Sequence, residues 1–137
     1  MGYKHIIWDW NGTLLNDRQF CIKIMNGVLS RRDMDEMTEE WFLDNFCFPV
    51  KDYYLKLGFD LKNEPFEKSG MEFIEAYKKR QYEAELHSEA INVLSKLQQR
   101  GITHSILSAQ FQTTLEDLVS FYGIRDYFVN ISGLDNH

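Results

Sequence analysis

The sequence has only two cysteines, Cys21 and Cys47, and they stand in neither a CxxC nor a CxxH spacing. It therefore offers no disulfide framework and no cysteine-based metal site. Two isolated thiols in a chain this size read as buried, reduced side chains and point to a reducing, cytoplasmic compartment. No apolar run approaches the ~18 residues of a membrane-spanning segment, and Met1 leads directly into a strand-like run, so neither membrane insertion nor export is indicated. Basic residues are outnumbered, 15 Lys and Arg against 21 Asp and Glu for a net charge of −6, and they are scattered rather than massed. That argues against nucleic acid as a partner. No internal repeat or low-complexity segment interrupts the chain.

What is present is apolar and aromatic: 44% hydrophobic and 15% aromatic content over 137 residues. This can bury one good core with a small appendage. Tyr3 to Trp8 (YKHIIW) is a short β-branched run of the kind found in a parallel strand covered on both faces, and Asn11-Gly12-Thr13 breaks it. From Asp17 to about Ala84 the pattern turns helical. Cys21, Ile24, Met25, Val28 and Leu29 form an i, i+3, i+4, i+7, i+8 stripe. Thr38 is placed to cap a second helix carrying Trp41 and Phe42, and Pro49 suits the first turn of a third that stops at Gly58. A longer fourth helix starts at Pro65 or Phe66 and buries Phe66, Phe73, Ile74 and Tyr77.

The period then alternates. Ser88 is a candidate N-cap for a helix with inner face Ile91, Leu94 and Leu97, stopped by Gly101. A strand from Thr103 to Leu107 ends at Ser108. Thr113-Thr114-Leu115-Glu116 fits a capping box for a helix that ends at Gly123, and Tyr127 to Ser132 is a third strand. Strand, helical insertion, helix, strand, helix, strand with right-handed crossovers gives an α/β fold. Its core is a doubly wound parallel, Rossmann-like sheet, here incomplete, formed by residues 1–16 and 85–137, with 17–84 an inserted helical cap. Function in such sheets sits at the carboxyl ends of the strands. Asp9-Trp10-Asn11-Gly12-Thr13-Leu14 and Ser108 occupy those ends, so both are expected to open on one crevice.

An apolar strand followed by D-x-N-G-T-L-L, a helical block, and a second apolar strand ending in Ser108 resembles the haloacid dehalogenase superfamily. The likeness is to phosphoglycolate phosphatase-like members whose helical cap is inserted after the first motif, and it runs through the whole chain. It implies a magnesium-dependent phosphatase acting on a small phosphorylated metabolite. Asp9 is then the nucleophile: a carboxylate fixed in a tight loop attacks phosphorus and forms an aspartyl-phosphate, dividing one hard displacement into two easier ones. Because a carboxylate repels a phosphate dianion, a hard cation is needed between them. Mg²⁺ suits oxygen ligands, with Asp9 and, by resemblance, the Asn11 backbone carbonyl as protein donors. Gly12 permits the sharp turn, and the amides after it can face phosphoryl oxygens. Thr13 holds the loop by its hydroxyl. Ser108 donates to a phosphoryl oxygen, helped by the amides of Ala109 and Gln110 ahead of the next helix. The insertion is expected to close over the substrate and exclude water.

Plainer readings stand beside these. Asp before Asn-Gly is commonly a turn bonded to its own backbone, and Ser108 alone is compatible with a local hydroxyl-to-backbone bond. His5, His87, His104 and His137 are too far apart in sequence to suggest a metal site. Arg31, Arg32, Lys51 and Arg80 can contact an anionic substrate, but solvated surface is the simpler reading.

Two departures from the superfamily pattern bear on activity. Asn11 stands where phosphatases of this kind carry a second Asp as general acid. An amide cannot shuttle protons near neutral pH, and that acid is worth ~10² to 10⁴ in rate. Members that act on carbon-halogen or phosphorus-carbon bonds also lack the acid, which keeps those chemistries open, and Asn11 is compatible with an engineered replacement of Asp. Secondly, no lysine follows Lys96. The superfamily's third-motif lysine and fourth-motif acidic pair thus have no counterpart; Glu116-Asp117 falls in an expected helix and Asp135 is a poor substitute. A fragment of a longer enzyme and a natural short form both fit, the abrupt Asn136-His137 favouring the first. A non-catalytic phosphate- or partner-binding domain is the competing function. With the Asp9 strand open on its far side, a homodimer or domain swap through the exposed sheet edge is expected.

Overall fold

In the computed structural model the described residues are 4–135, which leaves Tyr3 and His137 outside. They divide into two compact units. One is formed by the residues up to Asp17 together with those from Gln81 onward, and the other is Arg18–Arg80. Asp17 and residues 81–84, assigned to the insertion on sequence grounds, thus fold with the first unit.

The first unit holds a three-stranded parallel sheet of order β1-β4-β5, with β1 His5–Trp8, β4 Thr103–Phe111 and β5 Phe128–Leu134. Strand β1 runs in register with β4 from His5 opposite Thr103 to Trp8 opposite Ile106. A separate antiparallel pair, β2 Leu15–Asn16 with β3 Glu85–Leu86, ties together the two places where the chain passes between units. The His87 amide adds a 2.8 Å bond to the Leu14 carbonyl. Right-handed crossovers through a strand order that advances one way put α5 Ala90–Gln99 and α6 Gln112–Phe121 on a single face of the sheet. Between them and the sheet lies the core: Leu94, Leu115, Leu118 and Val119 from the helices, with His104, Ile106, Phe128 and Ile131 from the strands.

Several local expectations are corrected here. Strand β4 does not end at Ser108 but continues to Phe111, because a register shift after Leu107 lets Phe111 pair again with Leu134. Ser108 therefore lies inside an extended segment. The capping box at Thr113 does not form: α6 begins at Gln112 after Phe111, with no side-chain cap. Gln112 is engaged by the sheet instead, donating to the Ile131 carbonyl at 3.0 Å and accepting from the Gly133 amide at 2.5 Å. Helix α5 follows Glu89 rather than a Ser88 cap, and its buried side is Ala90 and Leu94 with Leu97 half-buried. Ile91 is 48% exposed, one position off that stripe. The glycine stops do hold, with Gly101 at φ +80° and Gly123 at +73°, the left-handed region a helix end uses.

The second unit is helical: α1 Arg18–Ser30, α2 Glu39–Asn45, α3 Val50–Leu57 and α4 Phe66–Arg80. Thr38 caps α2, its side chain accepting the Trp41 amide at 3.1 Å, and Gly58 at φ +104° ends α3. The stripe of α1 is wider than read, since Phe20 and Ile22 are buried as well while Cys21 is half-buried. Ile22, Met25, Val28, Leu29, Met37, Tyr53, Tyr54 and Phe59 form the cluster. Burial raises the hydroxyl pKa values of Tyr53 and Tyr54. Arg32 crosses the unit's polar side, bidentate to Glu64 at 2.8 and 2.7 Å and bonded to both oxygens of Glu72 at 3.2 and 2.7 Å, while Arg31 adds a 2.6 Å bond to Glu72. Of the four cations weighed as substrate contacts, these two are thus committed to carboxylates within their own unit.

Candidate active site

The site is built around the chain's exit from β1. Trp10 is wholly buried, with its ring against Tyr122 at 6.3 Å between centroids. The Tyr122 hydroxyl in turn donates to the Ala84 carbonyl. That anchor fixes the residue between Asp9 and Asn11, so the exposed Asp9 carboxylate is presented from a rigid point. Immediately after it the chain reverses: the Thr13 amide bonds back to the Trp10 carbonyl at 3.2 Å and the Leu15 amide to the same oxygen at 3.0 Å. Gly12, third in this turn, has φ +79°, where a side chain would be strained. The Thr13 hydroxyl lies 3.4 Å from Asp9 Oδ2, a long contact that still biases the carboxylate.

Asn11 does not project into free solvent. Its Nδ2 donates at 2.7 Å to Oδ2 of Asp17, a carboxylate only 3% exposed. A buried carboxylate costs heavily unless it accepts hydrogen bonds, and the Asn11 amide supplies one. Asp17 is the residue that sequence reasoning missed. Its signal was there, an acid eight positions after Asp9 with a polar turn between, but helical periodicity assigned it to the insertion.

Ser108 comes to the same end of the sheet. Trp8 pairs with Ile106, so Asp9 lies one residue beyond the last β1 pair and Ser108 two beyond its partner on the adjacent parallel strand. Ser108 is half-buried and its hydroxyl accepts the Gln110 amide at 3.0 Å, while the Phe111 amide bonds to Gln110 Oε1 at 3.0 Å. Ser108 thus keeps its hydroxyl hydrogen as a donor. The Gln110 amide is spent locally, and Ala109 is exposed. Strand β5 closes this side tightly: a Cβ on Gly133 would stand 2.5 Å from the Gln110 carbonyl oxygen.

Among the described residues no group of three or more His, Cys, Asp or Glu is arranged to hold a metal ion. A magnesium site needs less than that. The ion commonly keeps several waters and takes one or two carboxylates plus substrate phosphate oxygens, so Asp9 with a backbone carbonyl fits at that level. Elsewhere in the unit, His104 is wholly buried, its Nδ1 accepting the Trp8 indole N–H at 2.9 Å, and burial holds its pKa below the ordinary histidine value. It is a core group. No helix is long and apolar enough to cross a membrane among the described residues.

A family model for haloacid dehalogenase-like hydrolases matches residues 6–137. A search of curated proteins gives no significant match. Among solved structures, a haloacid dehalogenase-like family hydrolase from Streptococcus pneumoniae superposes with TM-score 0.79 at 18% identity, covering 96% of this chain and 61% of that one. A protein from Haemophilus somnus named as a predicted phosphoglycolate phosphatase gives 0.73 at 16%, covering 98% and 64%. CbbY from Rhodobacter sphaeroides, solved in complex with phosphate, gives 0.70 at 15%, covering 99% and 65%. At such identities the likeness to these structures is one of fold, and the chain spans less than two thirds of the length of each. With an Asp-x-Asn-Gly-Thr turn at the end of a parallel strand and a family match over nearly the whole sequence, the chain belongs to the haloacid dehalogenase-like hydrolases.

Proposed function

We propose that this chain carries the nucleophile half of a magnesium-dependent phosphomonoester hydrolase acting through an aspartyl-phosphate on a small phosphorylated metabolite. The observation that carries the reading is the exposed Asp9 carboxylate, held on a buried tryptophan and a left-handed glycine beside the Ser108 strand. With Thr13 biasing Oδ2, Oδ1 attacks phosphorus, the bond from phosphorus to the ester oxygen breaks, and the alcohol departs with its electron pair. Ser108 donates to a phosphoryl oxygen. Mg²⁺, when bound by Asp9 and the Asn11 carbonyl, would neutralise charge between carboxylate and phosphate. Water then displaces Asp9 from phosphorus, giving inorganic phosphate and restoring the carboxylate.

Neither proton transfer has a side-chain catalyst at position 11, where the Asn11 amide is tied to Asp17. Leaving groups that need no proton are therefore favoured, and aryl phosphates should turn over while alkyl phosphates lag. The test is release of phosphate from an activated aryl phosphate with Mg²⁺: the chain should release it and Asp9→Ala should not. Equal release by both would end the reading.

A second reading has support of its own. The engaged Asn11 amide and the Gln110 amide bonded to Ser108 describe a loop settled without catalysis, as in a phosphate- or partner-binding domain. Calorimetry distinguishes the two: binding of Mg²⁺ and phosphate without turnover favours this second reading. A cytoplasmic setting accords with both.

A further inference from the structure

Asparagine is followed by glycine at two places in the sequence, Asn11-Gly12 and Asn26-Gly27, and that dipeptide has a chemistry of its own. The glycine amide nitrogen can bond to the side-chain carbonyl carbon of the asparagine and close a succinimide ring. The bond from that carbon to the side-chain nitrogen breaks, the nitrogen takes up the glycine hydrogen, and it departs as ammonia. Water then opens the ring at one carbonyl or the other, giving aspartate or isoaspartate. No oxidant, metal or enzyme is needed. Glycine hinders ring closure least, because it has no Cβ beside the attacking nitrogen.

The fold treats the two pairs differently. Asn26 and Gly27 lie inside α1, where ring closure would break the helical ladder. The Asn26 side chain is also held at both ends by the Met37 backbone, donating from Nδ2 to the carbonyl at 3.0 Å and accepting at Oδ1 from the amide at 2.7 Å. Gly12, in contrast, is exposed in a turn at φ +79°, with no atom within 4 Å of the place a Cβ would take, and Asn11 is half-buried. Two bonds restrain the reacting groups there. The Gly12 amide donates to the Leu15 carbonyl at 2.9 Å, and Asn11 Nδ2 donates to Asp17 Oδ2 at 2.7 Å. The acceptor of the second is a carboxylate, which makes it the stronger of the two.

We propose that Asn11-Gly12 is a deamidation site at which the folded chain converts Asn11 to aspartate and isoaspartate, with the Asp17 contact setting the pace. The product puts a second carboxyl where the donor to Asp17 stood, and because the ammonia is lost the loop cannot restore the amide. This rests on no assumption about chemistry at Asp9.

The test is to incubate the full 137-residue chain in neutral buffer, with and without denaturant, and to follow the Asn11 and Asn26 peptides by mass and by isoaspartate content. Without denaturant the Asn11 peptide should convert while the Asn26 peptide stays intact. In denaturant both should convert at similar rates, faster than Asn11 does in the folded chain. Asp17→Ala should speed conversion at Asn11 by about tenfold, the worth of a hydrogen bond to a charged group, and leave Asn26 unchanged. Asn26 thereby reports any variant that fails to fold, since both peptides would then convert alike. In that event Asp17→Asn, which keeps the size of the side chain and an acceptor oxygen, decides: it should speed Asn11 alone, by less than the loss of the whole group. An Asn11 peptide that stays intact in the folded chain while denaturant converts it overturns the proposal, as does equal conversion of the two peptides in the folded chain. An unchanged Asn11 rate in a folded Asp17 variant refutes the part given to Asp17.

Discussion

Asp9, Gly12 and Trp10 show how three neighbouring residue types divide one task. Burial of Trp10 fixes the backbone, Gly12 takes a conformation closed to other residues, and Asp9 is left exposed where the strand ends. Asp9 and Gly12 were legible in the sequence because turn chemistry is local. The bond from Asn11 to Asp17 was not, since it depends on how the chain curls back after the turn. It leads to two predictions. Asn11→Asp supplies the missing acid and should raise the rate with alkyl phosphates by ~10² to 10⁴, with much less gain for aryl phosphates. Steady-state kinetics on the two ester classes checks this, and an equal gain on both would contradict it. Asp17→Ala removes the carboxylate that accepts from the half-buried Asn11 amide and should cost about 1–3 kcal/mol in denaturant unfolding.

At the scale of elements, what could be read is what is encoded locally. The stops at Gly58, Gly101 and Gly123 and the Thr38 cap each need one residue in one conformation, and all are found. The end of β4 was misplaced because Ser108-Ala109-Gln110 has no strand character of its own; its extension follows from renewed pairing of Phe111 with Leu134. The capping box failed for a similar reason, as Gln112 is drawn to the β5 backbone. That close approach is itself testable. Gly133→Ala would push a methyl within 2.5 Å of the Gln110 carbonyl, and overpacking of this kind costs about 1–3 kcal/mol, measurable as a lowered denaturation midpoint. In the helical unit, Arg32→Met should cost about 1–3 kcal/mol in the same assay, because it strips two carboxylates of a partly buried partner.

For the whole molecule, acid sensitivity follows from two kinds of group. His104 has its pKa lowered by burial, so the unfolded chain binds its proton first and stability begins to fall as pH drops below ~6.5. Glu64 and Glu72 have theirs lowered chiefly by the hydrogen bonds from Arg32, so their contribution is complete above ~4.3 and is lost as pH falls through their folded values. Unfolding followed against pH should show both limbs, and His104→Leu should remove the upper one alone. The α/β class and the order of elements were legible from alternating periodicity. The exposure of Ile7, Leu107 and Val129 was not, because it depends on which side of the strands the helices take.

The most direct measurement is to quench the chain in acid after brief exposure to Mg²⁺ and an aryl phosphate, and to map any added phosphoryl group by mass spectrometry. Phosphorylation confined to the peptide containing Asp9, and absent in Asp9→Ala, is the predicted result. A phosphoryl group on another residue, or turnover that survives the loss of Asp9, would contradict it.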